Sequence, residues 1–436
     1  MNKKNKKKVS FETLGCRYNR FESAEMAYEL GRAGFMAVKS SEPADVVVIN
    51  TCAVTGKSAA RCRAAIRHAK SSNPGARIVV TGCYSETSPK AVSAVEGVDL
   101  VVGNAEKFDI AEALSAIDPD NSRSVIVGGS ELPETLPVRP VTAMEGRTNA
   151  YLNVQSGCDE VCSFCLVRVA RGKSRSAEAT DVTARIGDMS EAGIKEVVLT
   201  GINIGQYKCG DGITLAGLIK KIIKQTGIER IRLSSINPND VTDELIELMA
   251  GESRVCRHLH IPLQSGSDAI LKSMRRPYSA SEYLKLLEML VKRIPDIGLG
   301  ADVMVGFPGE EEREFGQTRA LIELSPLMML HVFAFSPREG SAASLMPDAP
   351  EKPVAKMRSA ILKKLSADKG EHFRSLFIDR TVEVLIENRR DKSGLLKGFS
   401  DNYMAVYLDG PDSLMNSIVP VRIIEAVNGH LTGEVL

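Results

Sequence analysis

A closely spaced run of cysteines is the strongest chemical signal in the sequence. Between Gly157 and Cys165, the thiols of Cys158, Cys162 and Cys165 follow a C-x3-C-x2-C pattern. Three thiolates at this spacing can hold three irons of a [4Fe–4S] cube, whereas an electron-transfer cluster usually has four cysteine ligands. The pattern therefore predicts a cluster whose fourth iron keeps an open position. Zinc or reduced core thiols are the alternatives, but structural zinc takes four ligands and no nearby His or Cys completes this set.

A second set of cysteines is dispersed along the chain. Cys16, Cys52 and Cys83 each come directly after an apolar, strand-like run. The carboxyl ends of parallel strands meet at one edge of a sheet, where α/β folds place their ligands. For any one of these residues, a buried thiol that packs as a small apolar side chain is the alternative. Three thiols at equivalent positions favour a second iron–sulfur cluster, because soft thiolates suit such clusters.

The other three cysteines lack such placement. Cys62 lies between Arg61 and Arg63 in a helical pattern, and Cys209 and Cys256 stand alone. Flanking cations can lower the pKa of a thiol, but an ordinary structural thiol is the simpler interpretation. We expect no secretory segment in this chain, so metal or redox roles are favoured over disulfides for its nine cysteines. We assign none of these three to a cluster.

The first part of the chain alternates apolar runs with helical patterns, which is typical of a doubly wound parallel sheet. We expect this α/β domain over residues 1–121, followed by a linker over 122–149 that is rich in Pro, Gly and Thr. The predicted strands are 9–14, 45–50, 76–81 and 98–102, and the predicted helices are 23–33 and 57–71.

A second series of strands and helices follows, and it predicts a partial (β/α)6 barrel of the TIM type, whose chemistry lies at the carboxyl ends of the strands. We expect this domain over residues 150–372, including most of a basic connecting helix predicted over 352–376. The predicted strands are 151–155, 196–200, 230–234, 258–262, 300–305 and 330–334.

The last segment, residues 373–436, contains short alternating strands at 381–386, 403–408 and 417–421, which favour a small β-barrel of the kind that holds nucleic acids. Acidic residues are at least as common there as basic ones, unlike in a strongly cationic RNA-binding module. Arg389, Arg390, Lys392 and Lys397 are the candidate RNA-binding residues. Solvated surface charge is the alternative for these four residues.

Composition excludes few functions. The formal net charge is +1, and nucleic-acid binding depends on where charge clusters rather than on its total. No apolar run approaches the ~20 residues needed to span a bilayer, so we expect a cytoplasmic protein with no membrane partner. The lysines among the first eight residues are expected to form a solvated tail.

The two cysteine sets together resemble the radical SAM (S-adenosylmethionine) methylthiotransferase family over nearly the whole chain. The similarity extends through Leu14-Gly15-Cys16 with Asn19, the stretch 50–55 around Cys52, and Gly82-Cys83-Tyr84. These motifs are most similar to the branch that modifies N6-threonylcarbamoyladenosine in tRNA. The resemblance implies an N-terminal methylthiotransferase domain, a radical SAM core and a C-terminal TRAM domain.

The resemblance also implies further site residues in the core. For contacts to SAM we expect Gly201, Asn203, Gly205, Ser235, Gln264, Ser265 and Asp302. Arg171 and Arg175, from an Arg-Gly-x-x-Arg motif, are expected to face SAM or the substrate. Taken singly, glycine and polar turns are more often loop chemistry, and both arginines can equally form surface ion pairs.

The implied reaction uses two [4Fe–4S] clusters and two SAM molecules. One SAM gives a methyl group to a sulfur on the auxiliary cluster, and the other yields a 5′-deoxyadenosyl radical that removes hydrogen from C2 of the adenine beside the anticodon. The implied partners are tRNA and an electron donor such as flavodoxin. The alternatives are a methylthiotransferase for N6-isopentenyladenosine or for a ribosomal-protein aspartate, and a non-catalytic iron–sulfur RNA-binding protein.

Overall fold

The structure is a computed structural model, which describes residues 6–53, 56–116, 124–140, 148–210 and 212–436. Its strands are β1 (Lys8–Thr13), β2 (Met36–Val38), β3 (Val46–Thr51), β4 (Arg77–Gly82), β5 (Leu100–Val102), β6 (Ser124–Ile126), β7 (Asn149–Asn153), β8 (Gln155–Ser156), β9 (Arg175–Ser176), β10 (Glu196–Thr200), β11 (Lys208–Cys209), β12 (Ile213–Thr214), β13 (Arg230–Leu233), β14 (His258–His260), β15 (Gly298–Val305), β16 (Met329–Ala334), β17 (Thr381–Arg390), β18 (Leu396–Ser400), β19 (Ala405–Leu408), β20 (Ile418–Val427) and β21 (His430–Val435).

The α-helices surround these strands. They are α1 (Arg17–Arg32), α2 (Gly56–Ser72), α3 (Cys83–Thr87), α4 (Pro89–Ser93), α5 (Ile110–Ala116), α6 (Val167–Arg171), α7 (Ala179–Glu191), α8 (Leu215–Gln225), α9 (Asp243–Gly251), α10 (Asp268–Ser273), α11 (Ala280–Arg293), α12 (Glu312–Leu324) and α13 (Lys352–Ser375). Among the described helices, none is both long enough and apolar enough to cross a membrane.

The chain forms two compact units. The first unit comprises Met1–Glu145, Ser156–Arg175 and Ser336–Ser344, and the second comprises Gly146–Gln155, Ser176–Phe335 and Leu345–Leu436. The predicted domain boundaries remain predictions. The predicted lysine tail through residue 5, residues 54 and 55 of the motif around Cys52, and residues 122–123 and 141–147 of the predicted linker lie outside the described residues.

The first unit contains a parallel sheet in the order β2-β1-β3-β4-β5-β6. Successive side chains of β3 point to opposite faces, so that Val46 and Val48 pack in one apolar core while Val47 and Ile49 pack in the other. A strand that is buried on both faces needs helices on both sides of the sheet. The predicted doubly wound sheet is therefore confirmed.

Two short strands of this sheet were not predicted from the sequence. Strand β2 has three residues, and β6, also of three residues, lies within the segment predicted as a linker. Strand β6 pairs in parallel with β5. Both lie at the edges of the sheet, where their side chains are exposed or half-buried, whereas the equally short β5 is central and fully buried.

The second unit contains the predicted partial barrel. Strands β7, β10 and β13 form one parallel group and β14, β15 and β16 form another. Between the groups, Ser235 pairs in parallel with His260. Six strands in this succession confirm the partial (β/α)6 architecture.

The C-terminal strands close into a five-stranded barrel in the order β17-β18-β19-β21-β20. Its core contains Val384, Leu396, Val406, Ile423 and Leu431, which confirms the predicted small barrel. Strands β18 and β21 were not predicted from the sequence. Both contain a glycine, Gly398 and Gly433, at which an added Cβ would press on the backbone of the adjacent strand.

One buried arginine connects three parts of the second unit. Arg232 in β13 is 1% exposed and donates hydrogen bonds to both carboxylate oxygens of Glu196 in β10, at 3.0 and 2.8 Å. It also donates to the carbonyls of Ser400 and Asp401, at 3.1 and 2.8 Å. Burial alone would raise the pKa of Glu196, but Arg232 outweighs that effect and holds this pKa below its usual value.

We predict that Arg232→Met lowers the free energy of unfolding of the second unit by about 3–5 kcal/mol, because it leaves the Glu196 charge buried without its partner. The matched control is Lys220→Met, which breaks the exposed 2.8 Å pair with Glu244 and should cost within about 1 kcal/mol. Urea unfolding of both variants beside the parent chain measures the difference. Equal losses of stability would contradict the prediction.

Candidate metal centres

The dispersed cysteines lie at the carboxyl edge of the first unit's sheet. Strands β1, β3 and β4 are neighbours, and their ends are in register, since Thr13 pairs with Asn50 and Asn50 with Thr81. Cys16 immediately precedes α1, Cys52 follows β3, and Cys83 begins α3. The structure therefore brings Cys16, Cys52 and Cys83, here called the edge trio, to one place, as the sequence analysis expected.

Close backbone packing holds the edge trio together. Gly15 has a φ of +105°, and a Cβ added there would lie 2.7 Å from the Cβ and 3.0 Å from the Sγ of Cys52. This turn therefore requires glycine, both for its backbone conformation and for space. Although Cys16 as a residue reaches solvent, burial of its thiol raises the Cys16 pKa, Arg171 opposes the rise, and repulsion from Cys83 and Cys52 adds to it.

Asn19, on the first turn of α1, connects the elements of the edge trio. Its Nδ2 donates to the carbonyls of Leu14 at 2.9 Å and Thr51 at 3.0 Å. Its Oδ1 accepts from the Cys16 thiol at 3.6 Å. One buried amide therefore ties the two backbone segments that carry Cys16 and Cys52. Asn19 belongs to the motif around Cys16, but these contacts were not predicted from the sequence.

Arg171 brings a cation to the same place. Its Nε donates to the Sγ of Cys83 at 3.2 Å, and its Nη2 donates to Asn19 Oδ1 at 3.0 Å. Its Nη1 and Nη2 donate to the two carboxylate oxygens of Glu22, at 2.8 and 3.1 Å. The side chain is 3% exposed. Its expected role toward SAM or substrate remains a prediction.

Glu22 is shared between two cations, since Lys107 Nζ also donates to its Oε1. Burial acts to raise the pKa of Glu22, but Arg171 and Lys107 outweigh burial and hold that pKa at about 2. Glu22 is therefore a buried carboxylate ion at neutral pH. Neither Glu22 nor Lys107 was predicted from the sequence as a site residue, because charged residues are rarely buried.

The closely spaced cysteines, here called the loop trio, also belong to the first unit. Cys158 N donates to the carbonyl of Gly172 at 3.2 Å, and Cys165 N donates to the carbonyl of Cys162 at 3.1 Å. The Sγ of Cys165 accepts from Val167 N at 3.4 Å. Burial raises the pKa of the Cys158 thiol to about 11, and repulsion from Cys162 adds to it. A bound cation would favour the thiolates.

The number and kind of donors favour an iron–sulfur cluster over a single zinc ion. Structural zinc takes four ligands, whereas each trio offers three thiols. In the described parts of the chain, the group of His, Cys, Asp and Glu side chains close enough for one ion is His260, Asp302 and His331, whose ligand atoms lie within 4.8 Å of one another. Two sets of three soft donors thus fit [4Fe–4S] clusters.

The remaining cysteines are buried among other partners. Cys62 Sγ donates to the carbonyl of Cys52 at 3.7 Å, Cys209 Sγ lies 3.1 Å from Tyr207 Oη, and Cys256 Sγ lies 3.8 Å from Glu196 Oε2. Burial raises the pKa of Cys62 to about 11 and that of Cys256 to about 12. These contacts agree with ordinary structural thiols.

The residues expected to contact SAM lie in the second unit. Gly201 and Gly205 have no room for a side chain, because Gln155 and Asp240 occupy the space beside them. Asn203 Nδ2 donates to Asp240 Oδ2 at 2.8 Å, while Ser265 Oγ lies 3.2 Å from Thr318 Oγ1.

Two of these residues each have a buried side-chain oxygen that accepts no hydrogen bond from the described residues. Asn203 is 4% and Gln264 is 7% exposed, and among the described residues no donor reaches Asn203 Oδ1 or Gln264 Oε1. Buried polar atoms normally have hydrogen-bond partners. A polar ligand such as the amino or hydroxyl groups of SAM fits this requirement.

Asp302 is engaged by two histidines. Its Oδ1 lies 3.0 Å from His260 Nε2 and 3.4 Å from His331 Nδ1. Burial acts to raise the pKa of Asp302, but the two imidazoles outweigh it and hold this pKa well below its usual range. The carboxylate is therefore an ion whose acceptor capacity is partly used. Ser235, also expected at SAM, pairs with His260 on the adjoining strand.

The other expected contacts with substrate divide into two kinds. Arg175 donates to the carbonyls of Pro133 and Arg171, and Arg390 donates to the carbonyls of Gly394 and Gly410. Both arginines therefore use their side chains to bind backbone carbonyls of this chain. Arg389 and Lys392 are exposed. Lys397 Nζ lies 5.0 Å from the ring centroid of Phe399 and 5.8 Å from that of Tyr407.

Comparison with known proteins gives matches over most of the chain. The model of the Uncharacterized protein family UPF0004 matches residues 8–103 and that of the Radical SAM superfamily matches residues 152–322. Threonylcarbamoyladenosine tRNA methylthiotransferase MtaB of Bacillus subtilis is 36% identical, covering 98% of this chain and 96% of the relative. MtaB of Aquifex aeolicus is 38% identical, with coverages of 92% and 97%.

A relative with another printed substrate is also similar. The tRNA-2-methylthio-N(6)-dimethylallyladenosine synthase of Jannaschia sp. is 32% identical, covering 99% of this chain and 94% of the relative. Among solved structures, the radical S-adenosylmethionine methyltransferase TsrM from Kitasatospora setae aligns with a TM-score of 0.59 at 14% identity, covering 78% of this chain and 77% of that one. This structural similarity extends to the fold alone.

We predict that Gly15→Ala impairs iron binding by the edge trio, because the new methyl group displaces Cys52 and strains the turn by about 1–3 kcal/mol. In a chain whose loop trio is replaced by Ala, iron after anaerobic reconstitution should fall to less than half of its value with Gly15. Gly31→Ala is the control, since its added Cβ meets nothing within 4 Å. Undiminished iron in the Gly15→Ala chain would contradict the prediction.

Proposed function

The chain belongs to the radical SAM methylthiotransferase family, and we propose that it adds a methylthio group to C2 of N6-threonylcarbamoyladenosine beside the anticodon of tRNA. The observation that carries this proposal is the convergence of the edge trio, in addition to the loop trio that suffices for SAM cleavage. A radical SAM enzyme that inserts sulfur needs such a second site.

The two trios have different tasks in this proposal. Cys158, Cys162 and Cys165 hold three irons of the SAM-binding cluster, and the edge trio holds the cluster that carries the transferred sulfur. When bound, these groups supply the one-electron cleavage of SAM and the sulfur, chemistry that side chains do not provide. The chain itself supplies the thiolates of both trios, and for the edge trio it also supplies the buried contacts of Asn19 and Arg171.

The second unit supplies the contacts to SAM. Asn203 Oδ1 and Gln264 Oε1 are buried acceptors, and each is suited to accept a hydrogen bond from an amino or hydroxyl group of SAM. Asp302, an ion, adds a further acceptor. We assign Gly201, Gly205, Ser235 and Ser265 the task of shaping the backbone around these three side chains.

The C-terminal barrel supplies a surface for RNA. Lys397 and Tyr407 are paired across β18 and β19, with Lys397 above two aromatic rings. Single-stranded nucleic acids are bound by such combinations of positive charge and stacking rings. Arg389 and Lys392 add exposed positive charge, whereas Arg390 keeps the turn after β17 in shape. An unpaired anticodon loop offers the splayed bases that this surface requires.

The reaction also needs an external electron. We propose a flavodoxin-type protein as the donor and the cytoplasm, where tRNA is modified, as the location. The family includes enzymes for N6-dimethylallyladenosine at 32% identity, so that nucleoside is the second candidate substrate.

Replacement of the two trios should separate two activities. We predict that Ala at Cys158, Cys162 or Cys165 abolishes reductive cleavage of SAM to 5′-deoxyadenosine, since the cluster loses an iron ligand. Ala at Cys16, Cys52 or Cys83 should stop methylthio transfer and spare part of the cleavage. Anaerobic assays with mass spectrometry of both products measure this, with Cys209→Ala as the thiol control. Methylthiolation at the wild-type level in all three edge-trio variants would contradict the assignment of a second cluster to Cys16, Cys52 and Cys83.

The substrate is tested by direct competition. We predict that tRNA carrying N6-threonylcarbamoyladenosine is methylthiolated at least 10-fold faster than tRNA carrying N6-isopentenyladenosine, because a site that binds a polar substituent is left with unpaired groups by an apolar one. Unmodified tRNA and ribosomal protein are included as further competing substrates. Mass spectrometry of nucleosides and peptides from one anaerobic mixture gives the result. Preference for the isopentenyl substrate would overturn the assignment.

A further inference from the structure

Arg171 has an unusual set of partners for a buried arginine. It is the last residue of α6, the helix that follows Cys165 of the loop trio. Yet the contacts of its guanidinium are with Cys83 at the start of α3 and with residues of α1. Its Nε hydrogen points at the Sγ of Cys83, with N and S 3.2 Å apart. Arg171 is therefore close to the loop trio in the sequence, but its side chain contacts the edge trio.

The direction of that Nε–H bond is fixed by the other contacts of the guanidinium. Glu22 accepts from both terminal nitrogens, at 2.8 and 3.1 Å, and such two-point binding fixes the plane of the group. The Tyr18 ring lies 4.3 Å below it, centroid to Cζ. With the plane fixed on two sides, Nε cannot turn away from Cys83 unless the whole cluster of side chains rearranges.

Structural anchoring alone does not explain the Nε contact. The pairs with Glu22 and Asn19 already connect α6 to α1, and they would do so whatever atom lay beside Nε. The charge of Glu22 is moreover shared with Lys107, so that the buried carboxylate does not depend on Arg171 alone. The feature left unexplained by anchoring is a cationic N–H donor aimed at a sulfur.

We propose that Arg171 is a positioning residue of the edge trio, which in the iron-loaded protein donates an N–H···S hydrogen bond to the Cys83 thiolate and thereby raises the reduction potential of the cluster held there. This inference rests on the proposed function, because it presumes a cluster on Cys16, Cys52 and Cys83. Hydrogen bonds to the sulfurs and the local net charge are among the factors that set cluster potentials. One-electron reduction adds a negative charge, which an adjacent cation and donor stabilise.

The experiment uses the full chain with Cys158, Cys162 and Cys165 replaced by Ala, so that only the edge trio binds iron. The midpoint potential of the one-electron couple is measured by titration with dithionite, followed by electron paramagnetic resonance. Arg171→Gln should shift the midpoint to lower potential. Arg171→Lys keeps the charge but lacks the planar guanidinium donors, so its midpoint should lie between those of Arg171→Gln and the chain with Arg171. Arg168→Gln is the matched control, since it removes the same charge from the same helix, where Arg168 contacts the Asp159 carbonyl.

A midpoint in Arg171→Gln equal to that in Arg168→Gln, with iron retained, would overturn the proposal. If the Arg171→Gln variant loses its iron, the proposal is tested instead on the chain that keeps Arg171. Arginine labelled with 15N in the guanidinium should then give a 15N hyperfine coupling to the reduced cluster, and absence of that coupling would overturn the proposal. If the starting chain binds no iron at all, the second cluster of the proposed function fails first, and this is seen before any change at Arg171.

Discussion

The register of three parallel strands is the constraint on which the rest of the site depends. Strands β1, β3 and β4 are adjacent and end level with one another, so the residues that follow them meet at one edge. A shift of one residue in any pairing would turn the strand's side chains to the opposite face. The two apolar cores on either face of the sheet prevent that shift. Packing far from the thiols therefore sets where the thiols lie.

A buried ionic group completes this edge. Arg171, Glu22 and Lys107 are all nearly inaccessible to solvent, and removing three charges from water is costly unless each is well paired. Here Glu22 accepts hydrogen bonds from both cations, and Arg171 also donates to Asn19 Oδ1 and Cys83 Sγ. A set of apolar residues could supply equal stability, but it would leave the orientation of the Cys83 thiol undefined. We attribute the retention of these charges to positioning rather than to stability.

Much of this arrangement is visible in the sequence, because strand ends are local signals. The apolar runs before Cys16, Cys52 and Cys83 predicted both the sheet and the edge at which the thiols meet. Strands β2 and β6 were missed because they are short edge strands without a buried apolar run, and β18 and β21 were missed because a glycine interrupts the middle of a short alternating pattern. Glu22 and Lys107 were missed for another reason: their burial depends on pairing with each other and with Arg171, far away in the sequence. The polar residues expected to contact SAM differ in the structure. Among the described residues, Asn203 Oδ1 and Gln264 Oε1 have no hydrogen-bond partner, whereas Ser265 Oγ lies beside Thr318 Oγ1.

The central claim is that this chain carries two separate iron cubes, each on three cysteines, and iron itself tests it most directly. The full chain, prepared without oxygen and enriched in 57Fe, should show by Mössbauer spectroscopy and iron analysis about eight irons per chain, all in [4Fe–4S] clusters. Replacement of either trio by Ala should halve that number. A chain that never holds more than about four irons, or that keeps all of them after one trio is replaced, would contradict the account.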